Sequence, residues 1–420
     1  MSDLVEKVIL VGVATGNEEN CIKSLDELEE LAKTAGAETV YKMYQNRDSF
    51  HPGTYIGRGK IEELKELIYI NHATGIICDD ELSPAQMKNL EDELETKVMD
   101  RTMVILDIFA ARASTAEGKI QVELAQLKYQ MTRLLGKGTA LSRLGGGIGT
   151  RGPGESKLET DRRRIRDRAG QLSRELKDVV RHREVTRKER QKNGLPVFAI
   201  VGYTNAGKST LLNRLTNAEV LSEDKLVATL DPTTRSYGLE NGEKVLLTDT
   251  VGFINKLPHH LVDAFKSTLE EAKYADYIIH VVDSSNPNFE DQMRTVYSTL
   301  DDLGVNDKSV ITLFNKCDAC GDIKIYDSRA SYILKTSAIR GDGLEEFQKL
   351  LSDILRSGKI YIEHVFDYSQ AGMIQLIRSG GSLLEEEYVA EGIAVKAYVT
   401  KEIAGKIGIR TEDNSSDEIY

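Results

Sequence analysis

The sequence lacks any run of eighteen or more apolar residues, the length that a membrane-spanning helix needs, so a helical membrane protein is not expected. Its amino terminus, MSDLVEKVILVGV, has neither the basic residues nor the long apolar core of a secretory signal, and we expect a cytoplasmic protein. Cysteine is scarce: four residues are too few and too scattered for a disulfide framework in a chain of 420 residues. Cys317 and Cys320 form an isolated C-x-x-C, for which neither zinc nor redox chemistry is expected.

Positive charge is outnumbered by negative charge overall but is concentrated in one segment. The chain carries a net charge of −12, yet residues 128–192 contain nineteen Lys and Arg against eight Asp and Glu, a local charge of +11 that leaves −23 for the remainder. A hydrophobic fraction of 40% and a charged fraction of 29% are typical of a soluble globular chain with two or three domains. The basic segment favours contact with a polyanion, while the acidic remainder would avoid indiscriminate binding.

Residues 1–108 alternate short apolar runs with helical patterns, which predicts a small amino-terminal α/β domain with a largely parallel sheet. The apolar runs in this alternation are VILVGV, TVYKMYQ, TGIICDD, KVMDR and VILDIF. Helical patterns cover about residues 17–36, 59–71 and 83–95.

Residues 109–194 predict a basic helical hairpin, because two long helical patterns flank a glycine-rich loop, ALSRLGGGIGTRGPGES, over residues 140–156. Glycine and proline forbid a regular helix in this loop. Arg143 and Arg151 place positive charge at its tip.

Two more units complete the chain. Residues 195–359 predict a second α/β domain with a doubly wound sheet, in which a hairpin turn at Asn241-Gly242 joins SYGLE to KVLLTDT, and YIIHVVD, SVITLFN and YILKTS are further strands. Residues 360–420 predict a small carboxy-terminal α+β domain of β-α-β-β order without a motif of recognisable chemistry. Its last residues, TEDNSSDEIY, are acidic and polar, and we expect them to be disordered.

The segment GYTNAGKS, Gly202 to Ser209, follows one strand and precedes the helical pattern STLLNRLT, as a phosphate-binding loop must. Glycines let backbone amides surround phosphate oxygens, Lys208 neutralises the β- and γ-phosphates, and Ser209 supplies a hydroxyl to Mg²⁺. Downstream, Asp249-Thr-Val-Gly252 ends the strand KVLLTDT. Asp249 there can hold Mg²⁺ through water, and Gly252 can offer its amide to a γ-phosphate.

A third element, Asn315-Lys-Cys-Asp318, follows the buried strand SVITLF and indicates which base is bound. The Asp318 carboxylate can accept the N1 hydrogen and the 2-amino group of guanine, whereas adenine would leave it unpaired. Such a site discriminates by roughly 10⁴ or more. Ser337-Ala338, after the strand YILKT, fits a loop whose backbone amide meets the guanine O6.

In order and spacing these segments resemble the signature set of the translation-factor-like GTPases, from about Leu195 to Ser357. The resemblance implies binding of GTP and GDP with Mg²⁺. It places a switch before Asp249, whose γ-phosphate-sensing threonine is Thr229, Thr233 or Thr234 by position; the family form ATLDPT favours Thr229. The expected metal ligands are Ser209, Thr229 and Asp249.

The residues expected to hold the nucleotide are Gly202, Tyr203, Thr204, Asn205, Ala206, Gly207, Lys208, Ser209, Thr210, Val227, Ala228, Thr229, Leu230, Asp231, Asp249, Thr250, Val251, Gly252, Asn315, Lys316, Cys317, Asp318, Ser337 and Ala338. Asn205 is also a candidate ligand for K⁺, as its equivalent is in some related GTPases. Ras-like proteins orient the attacking water with a glutamine after the DxxG glycine, but this position is Phe253. Lys208 is then the one phosphate-stabilising group assigned, and we expect slow intrinsic hydrolysis unless a partner completes the site.

Along most of its length the chain resembles the HflX family of ribosome-associated GTPases. The resemblance rests on GRGKIEEL in the first domain, on GGGIGTRGPGESKLETDRRRIRDR, and on GYTNAGKST with DTVGF. It implies binding to the large (50S) ribosomal subunit and splitting of stalled or stress-inactivated 70S ribosomes by a monomer, with GTP hydrolysis stimulated by the ribosome. The hairpin would then contact 23S rRNA near the peptidyl-transferase centre. The expected RNA contacts are Arg143, Gly145, Gly146, Gly147, Arg151, Arg162, Arg163, Arg164 and Arg166.

Three alternatives stay open. GRGK, residues 57–60, is a feature in favour of a second nucleotide site that drives ATP-dependent RNA remodelling, although it lacks a full P-loop and better fits a turn that starts a helix. The GTPase could instead gate a protein partner. An antibiotic-resistance variant is a third reading, because a loop near the peptidyl-transferase centre can displace a bound drug.

Overall fold

The structure is a computed structural model that describes residues 5–142, 153–192, 195–216, 233–239, 243–256, 271–321, 323–357 and 359–408. Three sheets organise these residues, one in each of the amino-terminal, central and carboxy-terminal domains. A helical hairpin lies between the first two sheets in the chain. No described helix is long and apolar enough to cross a membrane.

The amino-terminal domain has a four-stranded sheet of order β2-β1-β3-β4 in which every pairing is parallel, as predicted. Its strands are β1 (Lys7–Ala14), β2 (Glu38–Asn46), β3 (Gly75–Cys78) and β4 (Lys97–Asp100). The connecting helices are α1 (Glu18–Thr34), α2 (Arg58–Asn71) and α3 (Pro84–Leu94). β1 is apolar along its length because helices cover both faces of a parallel sheet. Gly57 of GRGK is the residue before α2, so this segment starts a helix.

The prediction that VILDIF continues the strand pattern was wrong. These residues lie in helix α4 (Arg101–Arg112), which begins directly after β4. Asp100 ends β4 and accepts a hydrogen bond from the amide of Met103 at 3.0 Å, which caps the helix. A short apolar run cannot distinguish a buried strand from a buried helix, and most of α4 is buried.

The predicted hairpin consists of α5 (Ala116–Ser142) and α6 (Pro153–Lys192), which pack against each other. Both helices extend into the segment predicted as loop, so the expectation of a loop over 140–156 was too wide. Pro153 is tolerated because the first helical residue has no amide partner to lose. Residues 143–152, with Arg143, Arg151 and the three consecutive glycines, lie outside the described residues.

Asp100 also fastens the hairpin to the amino-terminal domain. Its carboxylate is buried and accepts hydrogen bonds from the Tyr129 hydroxyl at 2.6 Å and from Arg133 Nη2 at 2.6 Å, both on α5. It also accepts the amide of Leu82 at 3.0 Å. The guanidinium of Arg133 lies 4.1 Å from the centroid of the Tyr129 ring, a cation–π contact.

The central domain has a six-stranded sheet of order β10-β9-β8-β5-β7-β6, parallel except for the antiparallel pair β6 and β7. Its strands are β5 (Val197–Gly202), β6 (Thr233–Gly238), β7 (Lys244–Asp249), β8 (Tyr277–Asp283), β9 (Ser309–Asn315) and β10 (Tyr332–Lys335). Its helices include α7 (Lys208–Thr216), α8 (Phe289–Asp302) and α9 (Leu344–Ser357). The predicted turn at Asn241-Gly242 lies outside the described residues.

The carboxy-terminal domain has an antiparallel sheet of order β11-β13-β12. Its elements are β11 (Ile360–Phe366), a 3-10 turn (Tyr368–Gln370), α10 (Ala371–Gly380), β12 (Ser382–Val389), β13 (Gly392–Val399) and α11 (Lys401–Lys406). The predicted β-α-β-β order is present, with α11 added after it. Residues 409–420, which include TEDNSSDEIY, lie outside the described residues.

Replacing Asp100 by alanine should loosen the hairpin. Arg133 and Tyr129 would keep their burial without the carboxylate, and breaking a buried ion pair costs about 3–5 kcal/mol. In native-state hydrogen exchange of the full chain, we expect the amides of α4 and α5 to exchange faster by a corresponding amount. Asp92→Ala, at an exposed position of α3, is the control. Equal protection in both variants would contradict this role for Asp100.

Candidate nucleotide-binding site

The phosphate-binding loop connects β5 to α7, as the sequence predicts. A Cβ on Gly202 would collide with the carbonyl oxygen of Val281 in β8, so only glycine fits at the end of β5. Gly207 has φ of +94° and a Cβ there would collide with Nδ2 of Asn315. Asn205 has φ of +60°, a conformation that asparagine tolerates. These positions let the chain fold back tightly before the amino terminus of α7.

Lys208 has its ammonium group inside this loop. Nζ donates hydrogen bonds to the carbonyl oxygens of Tyr203 at 2.7 Å and Gly202 at 3.1 Å. The side chain is 6% exposed, and its burial lowers its pKa to about 8, against the opposing effect of Asp249. A buried cation held by neutral carbonyls is stabilised when phosphate oxygens approach it.

Ser209 and Asp249 supply the oxygen ligands that Mg²⁺ prefers. The Ser209 hydroxyl donates a hydrogen bond to Oδ2 of Asp249 at 2.7 Å, and both residues are buried. Asp249 ends β7 beside β5, so the two donors meet at the carboxyl edge of the sheet. This donor set fits a magnesium ion beside the phosphates. Thr229, the third expected ligand, lies outside the described residues with Val227, Ala228, Leu230 and Asp231.

The DTVG segment lies against the phosphate-binding loop. A Cβ added to Gly252 would be 3.0 Å from Nζ of Lys208 and 3.0 Å from Cα of Thr204. Phe253 donates its amide to the carbonyl of Gly202 at 3.1 Å and accepts the amide of Thr204 at 2.8 Å. Its side chain is 3% exposed and belongs to the hydrophobic core. Phe253 therefore anchors this segment and offers no polar group to an attacking water.

Asn315 joins the base-recognition segment to the phosphate-binding loop. Its Nδ2 donates to the carbonyl of Ala206 at 2.9 Å, and its Oδ1 accepts the amide of Ala338 at 2.9 Å. The neighbouring Lys316 forms an ion pair of 2.8 Å with Asp283 at the end of β8. Three loops at the carboxyl ends of parallel strands are thus held together, and the structure brings the predicted residues of these loops into one site.

Asp318 carries a carboxylate suited to guanine. A hydrogen bond from the Ser337 side chain lowers the pKa of Asp318, and Arg340 Nε, 3.9 Å away, acts in the same direction. The ionised form is the one that accepts two hydrogen bonds from guanine N1 and the 2-amino group. Cys317 donates its amide to Thr336 at 3.1 Å. Within the described part of the chain, no group of three or more His, Cys, Asp or Glu residues is placed to hold a metal.

Several family models and relatives match this chain. Models described as GTP-binding GTPase N-terminal, GTP-binding GTPase middle region and 50S ribosome-binding GTPase match residues 22–110, 112–190 and 197–316. GTPase HflX of Lacrimispora saccharolytica is 63% identical over 404 residues, 96% of each chain. The chain belongs to the HflX family of GTPases. HflX of Escherichia coli is 43% identical over 322 residues, 77% of this chain and 75% of that one.

Because the chain belongs to the HflX family of GTPases, the reaction it catalyses is the hydrolysis of GTP to GDP and phosphate. The central domain of the chain matches the family model described as 50S ribosome-binding GTPase. Among solved structures, a GTP-binding protein from the hyperthermophilic archaeon Sulfolobus solfataricus in complex with GDP is 26% identical. The superposition of the two structures covers 83% of this chain and 98% of the archaeal chain, with a TM-score of 0.43.

A charged contact between the amino-terminal and central domains of this HflX chain was not predicted from sequence. Arg101 is 1% exposed, donates to Asp79 at 2.9 Å and also pairs with Glu27. Asp79 pairs in turn with Lys256, three residues beyond Phe253. Burial alone would raise the pKa of Asp79, but the charges of Arg101 and Lys256 outweigh it and hold that pKa below its ordinary value.

Tyr203 of the phosphate-binding loop takes part in the same contact. Its hydroxyl donates to Glu27 on α1 and accepts the amide of Asn255 at 2.8 Å. Burial and the Glu27 carboxylate raise the pKa of Tyr203, which keeps the hydroxyl protonated. The pair Asp79-Asp80 at the end of a buried strand was a signal that could have indicated this contact, but its partners are distant in the chain.

The arginines of the hairpin helix α6 differ in their surroundings. Arg163, Arg164 and Arg166 are exposed. Arg162 is partly buried and its Nη2 donates to the carbonyl of Leu134 on α5 at 2.7 Å. Three of the expected RNA-contacting side chains are therefore available on the surface, whereas Arg162 also holds the two helices together.

Nucleotide binding should take up protons near pH 8.5. In the phosphate-free site the Lys208 pKa of about 8 leaves part of its population neutral at that pH, and phosphate raises the pKa towards its ordinary value of 10.5. Affinity for GDP should therefore fall as the pH rises from 7.5 to 8.5. Calorimetry in buffers of different ionisation enthalpy measures the uptake. Lys208→Arg, which stays charged, should lose it; equal uptake by this variant would assign the proton to another group.

Asp318→Asn should weaken GTP binding by about 10³-fold or more, because one of the two guanine hydrogen bonds loses its acceptor. An amide can instead donate to the 2-oxo group of xanthine, so XTP should bind better to the variant than to the wild-type protein. Competition against a fluorescent GDP analogue measures both affinities. Asp301→Asn, which alters an exposed ion pair with Arg329, is the control. Unchanged GTP affinity in Asp318→Asn would refute guanine recognition by this carboxylate.

Proposed function

We propose that this HflX GTPase binds the large (50S) ribosomal subunit through its hairpin and splits stalled or stress-inactivated 70S ribosomes. The observation that carries the proposal is the exposure of Arg163, Arg164 and Arg166 on one long helix. Helix α6 has 40 residues, so it is about 60 Å long. A long basic helix of this kind can follow phosphate backbones into a crevice of folded rRNA.

The proposed RNA interface includes the glycine-rich segment between the two helices. Arg143, Gly145, Gly146, Gly147 and Arg151 would enter 23S rRNA near the peptidyl-transferase centre. Arginine contacts to phosphate release counterions, so binding should weaken steeply with salt. We also propose that the chain is divided into four domains, at residues 1–108, 109–194, 195–359 and 360–420.

The proposed cycle uses the difference in ribosome affinity between the GTP and GDP states. Ser209, Asp249 and Thr229 would hold Mg²⁺, which neutralises charge on the phosphates, and Asn205 is the proposed ligand for K⁺. The GTP form of the monomer wedges against the subunit interface in the cytoplasm. Ribosomal contacts then accelerate hydrolysis and the GDP form leaves.

The test compares GTP hydrolysis with and without 50S subunits for three proteins. We expect strong stimulation of the wild type, and loss of most of it in Gly145→Ala/Gly146→Ala/Gly147→Ala and in Arg163→Glu/Arg164→Glu/Arg166→Glu. A charge-matched control, Arg294→Glu/Lys349→Glu/Lys401→Glu, changes exposed residues away from the hairpin and should keep it. Sucrose gradients of 70S ribosomes with GTP test splitting. Absence of stimulation would reject the ribosomal function and leave the GTPase.

A further inference from the structure

Thr204 of the phosphate-binding loop has a buried hydroxyl. The residue is 4% exposed, and its Oγ1 has no hydrogen-bond partner among the described residues. By contrast, the nearby hydroxyl of Thr250 donates to the carbonyl of Ile200 at 2.8 Å and that of Ser209 donates to Asp249 at 2.7 Å. A buried hydroxyl left unpaired costs free energy, so its retention calls for a partner that arrives with the ligand.

Thr204 lies beside Gly252, whose amide can bind the terminal phosphate. Its Cα and Cγ2 are each 3.0 Å from the point that a Cβ on Gly252 would occupy, and the ammonium of Lys208 is 3.0 Å from the same point. The amide of Thr204 donates a hydrogen bond to the carbonyl of Phe253 at 2.8 Å. Thr204 thus lies beside the segment that offers its amide to the γ-phosphate, and directly follows Tyr203, whose carbonyl holds the ammonium of Lys208.

Other polar groups at this place are less suitable. Phe253, at the position of a water-orienting glutamine, is packed in the core. The hydroxyl of Tyr203 is engaged by Glu27 and by the amide of Asn255. Asn205 is exposed. Thr204 is among the residues that line a cavity of about 770 Å³ between the amino-terminal and central domains.

We propose that the Thr204 hydroxyl positions the water that attacks GTP in intrinsic hydrolysis. Oγ1 accepts a hydrogen bond from this water and directs its lone pair at the γ-phosphorus. The bond from the water oxygen to phosphorus forms as the bond to the β–γ bridging oxygen breaks, whose electron pair stays on GDP. The water proton passes to a γ-phosphate oxygen, and Thr204 neither gains nor loses a proton.

This inference rests on the GTPase reaction alone and not on ribosome binding, so the two proposals fail independently. Single-turnover hydrolysis at saturating GTP, without ribosomes, tests it in the full-length protein. Thr204→Val keeps the shape and removes the hydroxyl. We expect its kcat to fall by about 100-fold, the scale for losing one preorganised hydrogen-bonding group, while the Kd for GTP changes less than about threefold.

Two further variants separate positioning from packing. Thr204→Ser restores the hydroxyl and should recover hydrolysis to within about threefold of the wild type. Thr39→Val removes a hydroxyl of β2 that is likewise buried and without a partner in the described residues, and should leave kcat unchanged. Wild-type kcat in Thr204→Val would overturn the inference. Equal loss in Thr204→Ser, or a loss confined to Kd, would overturn it too, since the side chain would then act by shape or by ground-state binding.

Discussion

The burial of one arginine determines where the amino-terminal and GTPase domains meet. The Arg101 guanidinium is out of contact with water and must therefore be paired, and Asp79 and Glu27 supply its carboxylates. The same two carboxylates hold Lys256 and the hydroxyl of Tyr203, which belong to the GTPase domain. A charge in the core of one domain thus fixes the segments that border the phosphates in the other.

The nucleotide site follows from a second constraint, the common direction of parallel strands. β5, β7 and β9 all end at one edge of the sheet, so the phosphate-binding loop, Asp249 and Asn315 converge there. Tyr203 and Lys256 extend this edge to the amino-terminal domain, which carries the hairpin. Any coupling between the nucleotide and the hairpin through these contacts would act in both directions, because linkage is reciprocal.

Much of the fold and site was predictable because local patterns coincide with local structure. The glycines at 202 and 207 have the close contacts that the motif requires, and the carboxylates at 249 and 318 follow buried strands. The prediction failed at VILDIF, where an apolar run buried on all sides carries no period that distinguishes helix from strand. It also failed to indicate Glu27 and Arg101, because pairs formed across 74 residues leave no local pattern.

Local patterns in the sequence predict the chemistry: a loop for phosphates, oxygens for Mg²⁺, a carboxylate for guanine and a basic segment for a polyanion. Each depends on residues close together in the chain or on strand ends whose meeting place the parallel topology dictates. The packed structure, in contrast, was needed to show that Tyr203 and Lys256 contact the amino-terminal domain and that Arg162 binds helix α5. It also shows that the buried hydroxyl of Thr204 has no partner within the described residues. The burial of a side chain and its hydrogen-bond partners depend on packing between distant segments, so the identity of the residue alone does not specify them.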